Sequence, residues 1–202
     1  MNPYKTLFNR TNACMIRHRK PIRLQGYDYS GIGSYFVTIC TFQRAYLFGE
    51  IQSGNMVLND YGTHAKKCWM AIPEHYPNVS LDEYVVMPNH IHGIITIPNV
   101  GVQNFEPLQN VSLHNQYQHI IPKSIGSIVR GFKIGVTKWF RNNTDIDVVW
   151  QRNYWEHVIR GDLELSRIRQ YVRDNVDQWE TDSLHDQMNE LKEHDVIKTL
   201  FR

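Results

Sequence analysis

Apolar and polar positions recur along this chain with two different periods, and the two periods mark out its elements. Tyr35 to Phe42 is a run of aromatic and β-branched residues, which predicts a strand. Leu47 to Leu58, broken by Ser53-Gly54-Asn55, predicts a short hairpin. Asn59 or Asp60 can cap a helix running to about Ile72, with Pro73 as its stop. Ser80 to Val86 and Ile91 to Ile97 predict two more strands, joined by the turn Met87-Pro88-Asn89-His90. From Ser124 to Arg141 the spacing becomes helical, with Ile125, Ile128, Val129, Phe132, Val136, Trp139 and Phe140 on one stripe. Residues 148–158 hold another strand. Asp162 then caps a helix from Leu163 to about Asn175, whose apolar stripe is Leu165, Ile168, Val172, Val176 and Trp179.

Strand, helix, strand, strand, helix, strand, helix is a split βαβ order. It predicts an α+β fold, a ferredoxin-like antiparallel sheet with helices packed on one face. Residues 1–34 lack sustained periodicity and read as a basic N-terminal arm, 35–180 as the domain, and 181–202 as a peripheral helix or tail. Residues 98–121 are polar and rich in Asn and Gln, a long loop.

Composition adds limits. With 42% hydrophobic and 21% charged residues the chain is ordinary for a soluble globular protein. No run approaches the roughly 18 apolar residues of a membrane helix, and the basic N-terminus has no apolar segment after it. Cys14, Cys40 and Cys68, an odd number at wide spacing, suggest reduced thiols and a cytoplasmic location. A net charge of +2 does not announce a nucleic-acid binder. Its distribution says more: residues 10–23 and 123–141 are basic without an acid, while Glu180, Asp182, Asp186, Glu190, Glu193 and Asp195 gather in the tail. That fits a phosphate-binding face with a solvated acidic end, although plain solvated surface reads equally well for the arm.

Two groups of residues could do chemistry. Period-2 alternation puts both imidazoles of His90 and His92 on one strand face, where they could share a divalent cation with a third ligand from elsewhere. On the late helix, Tyr171 lies about 100° from the centre of the apolar stripe at 3.6 residues per turn. Asn175 falls one turn on, nearer the stripe. A tyrosine at a core margin and a fraying asparagine would look the same. His157, in the aromatic and polar segment Trp150 to Arg160, could assist a phosphate or be an ordinary satisfied histidine.

Several of these stretches together resemble the REP-associated tyrosine transposases, in the His-hydrophobic-His (HUH) endonuclease superfamily. They are Ile22 to Tyr29, Tyr35 to Cys40, Met87-Pro88-Asn89-His90-Ile91-His92-Gly93, Trp150-Gln151-Arg152-Asn153-Tyr154, and Tyr171-Val172-Arg173-Asp174-Asn175. The resemblance spans about residues 20 to 180. It implies Mg²⁺ or Mn²⁺ on His90 and His92, Tyr171 as nucleophile, and Asn175 as the polar residue that completes the metal site. The substrate it implies is single-stranded DNA near a hairpin like a repetitive extragenic palindrome. Val176 stands where many relatives have proline, and residues 98–121 match no motif.

In that chemistry Tyr171 forms a 5′-phosphotyrosine and frees a 3′-OH, so strands can be rejoined. Arg130, Lys133 and Arg141 would grip phosphates, and Arg17, Arg19, Lys20 and Arg23 in the arm would read bases beside the hairpin. The rivals are a hydrolytic metal-dependent nuclease with water as nucleophile, and a binding protein of the same fold without catalysis. A Zn site of His and Cys is disfavoured because no cysteine lies near His90 in sequence. A monomer and a homodimer are both compatible with the sequence.

Overall fold

A computed structural model describes residues 32–98, 123–182 and 184–185. In chain order it contains β1 (Gly33–Cys40), the hairpin strands β2 (Gly49–Gln52) and β3 (Asn55–Leu58), α1 (Asp60–Met70), α2 (Ile72–His75), β4 (Ser80–Val86), β5 (His90–Ile97), α3 (Ile125–Asn143), β6 (Trp155–Ile159) and α4 (Asp162–Asp174). A 3₁₀ turn at Trp179–Thr181 follows. The main sheet has the order β4-β5-β1-β6, with every neighbouring pair antiparallel. This is the α+β, ferredoxin-like arrangement that the element order implied.

Local chemistry sets the element ends. Asn59 caps α1, its side chain accepting from the Gly62 N–H at 2.9 Å. Ser124 caps α3 by accepting from the Ser127 N–H. Pro73 does not simply stop a helix. It sits in the first turn of α2, where its missing N–H costs nothing.

One sheet face carries Tyr35, Val37, Ile39, Ile91 and Ile95 against Ala65 and Trp69 of α1 and Ile128, Phe132 and Val136 of α3. Gly93 belongs to this contact. A Cβ there would lie 2.2 Å from Cζ2 of Trp69, so only glycine lets the indole close on the strand. The other face carries Phe36 and Ile94 against Ile168 and Val172 of α4. Helices on one face is therefore right for α1 and α3, while α4 covers the opposite face. The physical sign was present in the sequence, since strands buried on both faces read as continuous apolar runs rather than as alternation.

Two ion pairs fasten α4 to β4. Arg169 grips Asp82 bidentately, with 2.6 Å from Nη2 to Oδ2, and Arg173 donates to Glu83. Asp82 and Glu83 are consecutive and would normally point to opposite faces. A register shift between Leu81 and Tyr84 lets both reach the same helix.

The segment just past residue 180 is part of the domain surface. Leu184 is buried, and the Tyr46 hydroxyl donates to the His185 carbonyl at 2.7 Å. Residues 1–31 of the arm, residues 99–121 of the polar loop, and most of the acidic tail lie outside the described residues. Among the described residues no helix is long and apolar enough to cross a membrane.

Candidate metal centre and nucleophile

His90 and His92 open β5 and lie on its α4 side, fully buried, with ring centroids 4.4 Å apart. The tautomer of His90 follows from its neighbour. The Asn89 amide Nδ2 donates to the Leu184 carbonyl at 2.7 Å, so its Oδ1, 2.7 Å from His90 Nδ1, must accept from that ring N–H. The lone pair of His90 is then on Nε2, a buried atom with no hydrogen-bond partner among the described residues. His92 is held by its cross-strand partner Thr38, whose Oγ1 is 2.8 Å from Nδ1, and it stacks on Phe36. Burial drives His90 down to about 3, and it carries His92 well below the usual imidazole value, with His90 beside it adding to the effect. Both rings are neutral near pH 7 and can offer lone pairs.

α4 brings two groups to this pair. Ile168 and Val172 anchor the helix. Tyr171, between them on the border of the stripe, is half-buried with its hydroxyl 3.3 Å from Nε2 of His92. Its ring meets Phe36 and His92 at 5.9 and 5.4 Å. Asn175, one turn on, is buried within reach of His90, and its Oδ1 also has no partner among the described residues.

Asp182 is the residue that sequence reasoning missed. In sequence it stands among the acids of the tail, which read as solvated. After the 3₁₀ turn the chain returns and sets its carboxylate, only 6% exposed, 3.9 Å from His90 Nε2. That distance is too long for a hydrogen bond, and against a neutral ring there is no ion pair. One ligand atom each from His90, His92 and Asp182 lies within 4.8 Å of the others. Asn175 Nδ2 donates to Asp182 Oδ2 at 3.4 Å, but His90 Nε2 and Asn175 Oδ1 find no donor among the described residues, which suits a cation, and imidazole with oxygen donors is the ligand set of a borderline-to-hard divalent ion. The residues fit such an ion.

The remaining predicted residues scatter. Arg130 and Arg141 are exposed on α3, across the sheet from the histidines. Lys133 is not a free phosphate grip. Its ammonium donates to the carbonyls of Gln151 and Asn153 at 2.9 Å each, and burial lowers its pKa to about 8. Arg17, Arg19, Lys20 and Arg23 lie outside the described residues. His157 stacks on Trp155 and bonds Glu164 of α4 at 2.8 Å, which makes it a brace between strand and helix. Cys40 pairs in register with His90, so distance in sequence was a poor reason to dismiss cysteine, yet it does not join the cluster around the histidines.

No protein-family model matches the chain. An uncharacterized protein of Haemophilus influenzae is 44% identical over 174 residues, 84% of this chain and 94% of that protein. A second Haemophilus influenzae protein, with the provisional name REP-associated tyrosine transposase, is 26% identical over 145 residues, 72% of this chain and 70% of its own length. A solved structure of a REP-associated tyrosine transposase bound to a REP hairpin shares the fold with a TM-score of 0.50 and 19% identity. The match covers 84% of this chain and 82% of that one.

Proposed function

We propose that this chain, which stands with the REP-associated tyrosine transposases in sequence and fold, is an enzyme that cuts and rejoins single-stranded DNA beside a hairpin through a covalent bond to Tyr171. The observation that carries the reading is the Tyr171 hydroxyl, 3.3 Å from a buried neutral imidazole that belongs to a cluster of possible metal ligands, in which His90 Nε2 and Asn175 Oδ1 have no partner among the described residues. The Tyr171 ring packs on Phe36 and His92, and its hydroxyl stands beyond that packing beside the cluster. It is well placed to attack a phosphate lodged at the cluster's edge.

His90, His92 and Asn175, with the Asp182 carboxylate alongside, would hold Mg²⁺ or Mn²⁺. Such an ion polarises a scissile phosphate and eases ionisation of nearby hydroxyls. The protein's own part is positional. Thr38 and Phe36 fix the His92 ring, and Ile168 and Val172 fix the pitch of α4. The Tyr171 oxygen then bonds phosphorus as the bond from phosphorus to O3′ breaks. The phenol loses its proton to solvent, the 3′ oxygen gains one, and a 5′-phosphotyrosine remains. Because the phosphodiester energy is kept in that ester, a 3′-OH can reverse the step and join strands. Substrate choice, single-stranded DNA with a hairpin, is drawn from the hairpin bound in the related structure. The basic arm at Arg17 to Arg23 and the exposed Arg130 and Arg141 are candidates for its phosphates.

The test is incubation of full-length protein with a labelled single-stranded hairpin oligonucleotide and Mn²⁺, followed by denaturing electrophoresis and mass mapping. A covalent adduct at Tyr171, lost in Tyr171→Phe with hairpin binding retained, is expected. Cleavage that survives Tyr171→Phe would mean water is the nucleophile and the chain is a hydrolytic nuclease. Hairpin binding with no cleavage under any metal would mean a binding protein.

A further inference from the structure

The second observation concerns how Asp182 is held. Its Oδ1 accepts from the Leu184 N–H at 2.9 Å, and the Leu184 carbonyl accepts from Asn89 Nδ2 at 2.7 Å. Asn89 Oδ1 accepts from His90 Nδ1 at 2.7 Å. The other carboxylate oxygen, Oδ2, accepts from Asn175 Nδ2 at 3.4 Å and lies 3.9 Å from Nε2 of the same His90, which has no partner among the described residues. The chain of bonds therefore leaves His90 by one ring nitrogen and returns to the other, open only at the place where the acceptors converge. Trp179 buttresses the turn, its ring 6.1 Å from His90 and 4.8 Å from His185.

We infer that Asp182 supplies the anionic ligand of this centre, and that a bound divalent ion closes the ring and locks Asp182 and Leu184 onto the end of β5. The inference rests on the metal reading above. Imidazole and amide donors carry no charge when they ligate a metal, so without Asp182 the cluster of described residues would give the ion no negative charge. A hard cation binds weakly to such a set, and a carboxylate is the donor it favours. Asn89 has a positioning role. A single amide sets the His90 tautomer and ties down the turn that delivers the carboxylate.

Full-length protein is titrated with Mn²⁺ in the absence of DNA, and free ion is read from its EPR signal. Asp182→Asn keeps an oxygen for the Leu184 N–H, so the metal-free circular dichroism spectrum and urea midpoint should stay near wild type. Its Mn²⁺ affinity should fall about tenfold to a hundredfold. Amide hydrogen exchange supplies a second readout: Mn²⁺ should slow exchange at Leu184 in wild type and leave it unchanged in Asp182→Asn. Wild-type affinity in Asp182→Asn would overturn the inference while leaving the metal reading standing. Failure of the wild-type chain to bind Mn²⁺ would overturn both. Should Asp182→Asn fold poorly, the wild-type exchange experiment decides alone, and no added protection at Leu184 would overturn the closure.

Discussion

At the scale of single residues, the two imidazoles of the centre are groups that the fold keeps neutral. His90 and His92 are pushed below the ordinary imidazole value by burial, so an unfolded chain takes up protons that the folded chain refuses. Stability is full above about pH 6.5 and drains as pH falls toward the folded values, at no more than about 1.4 kcal/mol per pH unit for each ring. Urea unfolding at pH 7.5, 6 and 5 should show this slope. His90→Gln should flatten it even though its stability at pH 7.5 is lower. An equal slope in both proteins would mean that the imidazoles protonate freely in the native state. The sequence displayed the pair, Tyr171 and Asn175 because spacing alone puts them on defined faces. It could not display Asp182, which lies some ninety positions from His90 among acids that look solvated. Asn89 was equally hidden, read only as a turn former, because its second role depends on a carbonyl at Leu184 that spacing cannot bring near.

At the scale of elements, periodicity revealed which residues of a helix are buried but not which sheet face buries them. The stripe of α4 was legible and its side of the sheet was not. The deciding fact is that β1 and β5 bury residues of both parities: Phe36 and Ile94 one way, Val37 and Ile95 the other. Lys133 has a structural role that spacing could not show, for a similar reason. Its helical spacing with Arg130 and Arg141 suggested a charged face, whereas two backbone carbonyls at the end of the sheet hold its ammonium. The closeness of α1 to β5 gives a sharp test. Gly93→Ala would place a methyl 2.2 Å from the Trp69 ring, where neither strand nor indole has room to yield. It should destabilise the fold by about 1–3 kcal/mol or more, read as a lower urea midpoint with unchanged m-value. A neutral result would show that α1 is free to slide on the sheet.

For the whole molecule, the sheet separates the centre from the exposed arginines of α3. If DNA reaches Arg130 and Arg141, it does so by wrapping, and those contacts add affinity without touching the chemistry. The double variant Arg130→Ala/Arg141→Ala should then weaken hairpin binding and lower the slope of log affinity against log salt by roughly 1.4 to 2. The cleavage rate of the saturated complex should be unchanged. A fall in that rate at full saturation would place α3 at the reacting strand. The irregularity in β4 has a bearing beyond the two salt bridges it permits. β4 is the outer strand on its side of the sheet, and a straight outer strand presents a row of unsatisfied amides and carbonyls on which another chain can build. Here the row is broken between Leu81 and Tyr84, and the two acids at the break are already engaged by Arg169 and Arg173. The same kink that seats α4 on the sheet thus denies a second molecule a template for growth at this edge.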